Sequence, residues 1–219
     1  MVLSFMPISR LYDGRMIVVM GLGNPGASYE HTRHNVGFDA VDKAAAFLQV
    51  KLRKRCFRLY REAKVFGNCA GPSLETPSTK SKVIVQKASL VEPLTYMNAS
   101  GDIVRFFDKA SDFVVVCDNM DLAAGGLRIR KGGGASGQKG LDSISQQLGR
   151  SDFLRIYIGI GRPVDGCAVV DHVLGHEPEG ERKDAMEKAI DDAAMAIVKY
   201  IGGASVEELQ HEYNRKGLL

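Results

Sequence analysis

Ile17-Val18-Val19-Met20-Gly21-Leu22-Gly23-Asn24-Pro25-Gly26 reads as a buried strand that runs into a glycine-bearing loop. Four consecutive apolar residues closed by glycine fit a strand covered on both faces. After the polar residues to Arg33, Asn35 stands where a helix N-cap belongs. Val36, Phe38, Val41, Ala44, Ala45 and Leu48 then recur at helical spacing. A strand, a long loop and a helix in that order begin an α/β domain. Further strands are expected over 63–69 and 83–89, joined by the Pro/Ser/Thr-rich loop GPSLETPSTKS. Asn98 or Ser100 is expected to open a helix carrying Ile103, Val104, Phe106 and Phe107. A second buried strand covers 113–117, and strands over 127–131 and 155–160 flank a short helix over 141–148. Residues 181–201 form an amphipathic helix with Met186, Ala189, Ile190, Ala193 and Ile197 on one stripe, and 206–213 a last short one. Alternating strands and helices predict a single three-layer α/β domain over 16–219, preceded by a loose extension over 1–15. The loops after Met20, Leu90 and Cys117 are where chemistry is expected.

Composition narrows the class. The 219 residues suit one domain, with 45% hydrophobic and 25% charged residues. No apolar run approaches the roughly 20 residues of a membrane helix, so a soluble protein is expected. The start lacks a basic n-region and a small-residue cleavage site, so no signal peptide is expected, and Met16 could itself be the start. Cys56, Cys69, Cys117 and Cys167 show no CxxC spacing. Free thiols in a reducing cytoplasm, with no zinc site, are the expectation. The net charge of +3 is unevenly spread. Lys51, Arg53, Lys54, Arg55, Arg58 and Arg61 form one basic stretch, and Arg128, Arg130, Lys131 and Lys139 another, while acids gather from Glu177 to Asp192. That distribution permits a polyanionic partner.

Two nucleotide-binding patterns fail on inspection. Gly21 to Gly26 fits GxGxxG, but Pro25-Gly26 and the polar stretch to His31 delay the helix whose N-terminus would face a pyrophosphate. GGGASGQK, from Gly132, has Gln138 where a phosphate loop needs lysine, and Gly140 where it needs Ser or Thr. Among the histidines, His34 stands apart, because it precedes a helix in the loop beyond a buried strand. Asp118 ends another strand, and an Asp–His pair is the usual way to orient a general base. No GxSxG elbow supplies a protein nucleophile, so direct attack by water is expected.

GLGNPG at 21–26, TRHNVG at 32–37, YMNASG at 96–101, Asp118-Asn119-Met120-Asp121 and GIGRP at 159–163 stand together in one chain. Their order and spacing resemble those of the bacterial peptidyl-tRNA hydrolases from about Met16 to the C-terminus. The resemblance implies a twisted mixed central sheet flanked by helices. It also implies a cytoplasmic monomer that cleaves peptidyl-tRNA without cofactor or metal and does not bind membranes. By it, His34 is the general base and Asp118 its orienter. Asn24 and Asn98 hold the peptide backbone or the attacking water, and Tyr29 and Tyr96 wall the cleft. Arg130, Lys131 and Arg155 face the tRNA. Three departures accompany it. The family's glycine-rich stretch ends in Gly-His-Asn-Gly, whereas Gly137-Gln138-Lys139-Gly140 puts the cation of Lys139 in place of the Asn amide. Tyr157 occupies a position that is basic in the family, with Arg155 two residues earlier, and the loop over 163–168 lacks a lysine. Lys139 is expected to reach the substrate and to oppose protonation of His34. The alternatives are a non-catalytic RNA-binding relative of the same fold and a small-molecule esterase.

Overall fold

The computed structural model describes residues 16–218 other than 73–79, 108, 111, 136 and 165, so the expected extension over 1–15 lies outside the described residues. Seven strands make one sheet: β1 (Ile17–Gly21), β2 (Arg53–Lys54), β3 (Tyr60–Pro72), β4 (Lys80–Pro93), β5 (Asp112–Asn119), β6 (Leu127–Lys131) and β7 (Leu154–Gly159). Their order is β2-β3-β4-β1-β5-β7-β6. β4, β1, β5 and β7 run parallel, while β2, β3 and β6 add antiparallel pairs at the two edges. The sheet is therefore mixed, as the resemblance implies.

Strand periodicity explains the three layers. Ile17 and Val19 of β1 point into one core, with Val114, Val116, Ile156 and Ile158, under α1 (Val36–Phe47), α4 (Glu181–Ile201) and α5 (Val206–Tyr213). Val18 and Met20 point the other way, into a core closed by the 3₁₀ segment Met97–Phe106 and by α2 (Lys139–Leu148). Every residue of β1 is buried, because both faces of a central strand are covered. Each such Val, Ile or Met contributes about 1.5–3 kcal/mol through burial.

Helices α4 and α5 take the bounds their periodicity and caps dictate. Ser205 and Glu208 form a reciprocal capping box at the start of α5. Three local expectations change. Strands 63–69 and 83–89 grow into β3 and β4, and 73–79 of the loop between them lie outside the described residues. The helix expected from Asn98 or Ser100 is a 3₁₀ segment that starts after Tyr96, and Ser100 Oγ donates to Met97 O at 2.8 Å instead of capping. Asn35 sits at the α1 N-cap but makes no cap bond, its amide being used elsewhere. Two short elements, β2 and α3 (Val169–Leu174), went unread, since two and six residues cannot display a period. No helix of the described residues is long and apolar enough to cross a membrane.

One buried acid carries a measurable consequence. Glu92 is fully buried on β4, and Arg61 from β3 pairs with it. Burial first, and the Asp42 carboxylate second, push its carboxyl up from 4.5 to about 8, against the pull of Arg61. An acid whose folded value exceeds its unfolded one contributes fully at low pH, and that contribution is lost as pH rises through about 8. Glu92→Gln should therefore raise the melting temperature by about 5 °C at pH 9 and by under about 2 °C at pH 5. Arg61 keeps Asp42 at 3.6 Å, so the variant leaves no orphan cation. Melting curves at the two pH values test this, and an equal gain at both removes Glu92 as a source of pH dependence.

Candidate active site

β4, β1 and β5 are neighbours and parallel, so the loops that follow them open at one end of the sheet. The loop after β1 folds back on the start of α1. Asn35 Oδ1 accepts from Asn24 N at 2.8 Å, and Asn35 Nδ2 donates to Asn24 O at 2.9 Å. That two-bond clamp fixes Asn24, whose Oδ1 accepts from Met97 N at 2.8 Å, and leaves its NH2 group for the cleft. Asn24 thereby joins the loop after β1 to the loop after β4. His34 stands in the 3₁₀ turn Arg33–Asn35, held by Arg33 N donating to Gly175 O and Asn35 N to Thr32 O.

The loop after β5 completes the group. His34 Nδ1 lies 3.0 Å from Asp118 Oδ2, at ion-pair distance but out of line for a hydrogen bond. Such bonds are often loose without substrate and align when it binds. Asp118 Oδ1 accepts from Gln138 Nε2 at 3.0 Å. Asn24, His34, Tyr96, Asn98, Asp118 and Lys139 line a cleft of about 520 Å³, and Val169, Val170, Val173 and Leu174 of α3 form its apolar wall. The cleft thus brings together an imidazole, a carboxylate, neutral amides and an apolar surface. A larger hollow of about 660 Å³ lies between α1 and α4. Its polar groups already pair with one another, His31 with Asp39 and Glu177 with Arg33 and Arg182, so it offers no free chemistry.

Of the other residues singled out in the sequence, Tyr29 meets Tyr96 edge to face, with ring centroids 6.4 Å apart. It braces the exposed rim residue Tyr96 and does not itself line the cleft. Arg130 and Lys131 are exposed on edge strand β6. Arg155 requires a correction. It is 0% exposed, donates to Gly134 O, Ser151 O and Tyr157 Oη, and stacks over Phe153 at 4.7 Å. β7 is covered on both faces, so an arginine there is forced inward, where it holds the glycine-rich loop and cannot touch a phosphate. The two basic stretches also stand on opposite edges of the sheet, at β2–β3 and at β6. Of the second stretch, Lys139 lies in α2 and lines the cleft. Sequence reading missed the apolar wall of α3 and the bond from Gln138. Val169, Val170, Val173 and Leu174 stand at helical spacing, but six residues are too few to establish a period.

A three-layer α/β domain with a His–Asp pair and side-chain amides gathered at the ends of parallel strands has the build of a hydrolytic enzyme. The sequence model of the peptidyl-tRNA hydrolase family matches residues 18–218. The chain belongs to that family. It is 39% identical over 207 residues to the peptidyl-tRNA hydrolase of Bacillus subtilis, covering 92% of this chain and all of that one. The Geobacillus kaustophilus enzyme is 42% identical over 205 residues, covering 91% and 100%. Among solved structures, peptidyl-tRNA hydrolase from Acinetobacter baumannii superposes with a TM-score of 0.75 at 30% identity, over 92% of this chain and 96% of that one.

Proposed function

We propose that the chain hydrolyses the ester between a peptidyl group and the 3′-terminal ribose of tRNA, returning tRNA to translation in the cytoplasm. The observation that carries this is the His34–Asp118 pair, 3.0 Å apart and set in one cleft with Asn24 and Asn98, in a member of this family. His34 Nε2 takes a proton from water as the oxygen bonds to the ester carbonyl carbon. Asp118 stabilises the imidazolium that forms. The NH2 of Asn24 and the amide of Asn98 supply neutral donors to the developing oxyanion or to the water. Collapse breaks the bond to the ribose oxygen, which takes the proton back from His34, and the peptide leaves as the acid. The α3 wall receives peptide side chains, Tyr96 borders the ester, and Arg130 and Lys131 meet tRNA phosphates. A positioned general base contributes about 10²–10⁴-fold, which suits an ester that is already activated.

Purified protein tested on N-acetylated aminoacyl-tRNA and on free aminoacyl-tRNA checks the reading. Cleavage of the first and sparing of the second is the expected result. Binding of tRNA without cleavage of either would instead fit a non-catalytic RNA-binding relative.

Lys139 is exposed at the first position of α2, where a cation opposes the helix dipole by about 0.3–1 kcal/mol. Stability therefore does not favour it there, and its place on the cleft does. Lys139→Asn removes a cation from the cleft and should move the acidic limb of the rate profile upward. Turnover at neutral pH should be equal or higher. Rate against pH for both proteins decides it, and an unmoved limb means that Lys139 serves only the basic surface.

A further inference from the structure

The side chain of Gln138 has an orientation that chemistry alone assigns. Gly140 N and Leu141 N donate to one of its terminal atoms at 2.6 and 3.0 Å, so that atom is the carbonyl Oε1. The NH2 then faces the opposite way, 3.0 Å from Asp118 Oδ1 and 3.2 Å from Met97 Sδ. An amide NH2 can only donate, so Asp118 Oδ1 must accept. Asp118 Oδ2 is left for His34 Nδ1.

We propose that Gln138 is a positioning residue for hydrolysis, which ties the carboxylate of Asp118 to the first turn of α2 and so aims its other oxygen at His34. The inference rests on the His34–Asp118 reading given above. One side chain thus does two jobs through two different atoms. Oε1 caps α2 by taking two of the backbone N–H groups that a helix start leaves unpaired. Nε2 fixes the rotation of the carboxylate. Gln138 is itself buried, so water does not compete for either bond. The bond also links the loop after β5 to the helix that carries Lys139.

The two jobs can be separated. Gln138→Glu keeps an oxygen for both backbone donors and places a negative charge at a helix N-terminus, which favours the cap. It removes the donor to Asp118 and sets a second carboxylate against it. The other charged groups on the cleft are Lys139 from α2 and Asp121 from the loop after β5, while α3 presents only apolar side chains. Cys117 and Arg155 lie behind Asp118, on β5 and β7. With those unchanged, a second carboxylate favours the charged form of His34 and spoils its alignment.

The test is peptidyl-tRNA turnover against pH, with melting curves, for Gln138→Glu, Asp118→Asn and the double variant. Gln138→Glu should lose about tenfold or more in kcat and show an acidic limb shifted upward, while its melting temperature reports the cap gained less the repulsion between the two carboxylates. In the Asp118→Asn background the same change should cost less than about twofold, because the carboxylate that Gln138 aims is absent and the amide at 118 can turn its NH2 toward the new acid. Parental kcat and pH limb in Gln138→Glu at full stability would reduce Gln138 to a helix cap and overturn the proposal. So would an undiminished loss in the double variant. If Asp118→Asn itself hydrolyses at the parental rate, the underlying His34–Asp118 reading is what has failed. Gln138→Met, which has no donor and only a weak acceptor, covers the case in which the acid does not fold. It should lower both melting temperature and kcat, whereas a loss of stability alone overturns the assignment.

Discussion

His34→Ala should lower turnover of peptidyl-tRNA by at least about 10²-fold while moving the melting temperature by less than about 2 °C. The two halves of that expectation have separate physical grounds. The rate falls because no other imidazole lines the cleft, so the water loses its proton acceptor. Stability holds because the ring is on the cleft surface, belongs to neither apolar core, and leaves no cavity when removed. Its turn is held by backbone bonds to Gly175 and Thr32, which alanine preserves. Asp118→Asn should slow turnover comparably for a reason the geometry makes specific. Gln138 offers a donor to Oδ1, so asparagine at 118 must turn its carbonyl that way and its NH2 toward His34. Nδ1 would then have to accept, the ring proton would sit on Nε2, and the lone pair needed for water would be lost. Turnover near the parental value in His34→Ala would take the residue out of the mechanism.

How far this site could be read from the chain depends on the range of each interaction. β1, β5, α4 and α5 announce themselves by period and punctuation, since their burial repeats along a few consecutive residues. His34 and Asp118 were legible as a pair because each ends or follows a buried strand, and parallel strands deliver their ends to one place. Gln138 was not. Its partner lies twenty residues earlier, and nothing local distinguishes a capping glutamine from one that also steers an acid. Arg155 differs from its expected place for a related reason. L-R-I-Y-I alternates like a half-exposed strand, but Arg155 shares the face of Phe153 and Tyr157, which the glycine-rich loop covers at Gly134. Tyr29 stands one layer behind the cleft wall, and a tyrosine that braces another looks the same in sequence as one that lines a cleft.

The motif glycines have an explanation that the loop chemistry does not supply, and it yields the largest expected loss of stability. Gly37 closes TRHNVG and Gly21 opens GLGNPG, and the two backbones touch. A Cβ on Gly37 would stand 2.5 Å from both Leu22 N and Leu22 O and press on Val116 O, while one on Gly21 would meet Gly37 O. Every atom struck at Gly37 is backbone, so no side chain can swing aside. The first turn of α1 therefore sits on the ends of β1 and β5 at a distance that only glycine allows, and His34, three residues earlier, is carried to Asp118 by that contact. Gly37→Ala should lower the melting temperature by about 10 °C or more, corresponding to about 3–5 kcal/mol, or prevent folded protein from accumulating. Any molecules that do fold must lift α1 off the sheet, which withdraws His34 from Asp118. Their turnover per folded molecule should fall too, unlike that of an ordinary core variant. A Gly37→Ala protein with parental melting and parental turnover would show that the helix is not held this close, and that the His34–Asp118 separation is set by something else.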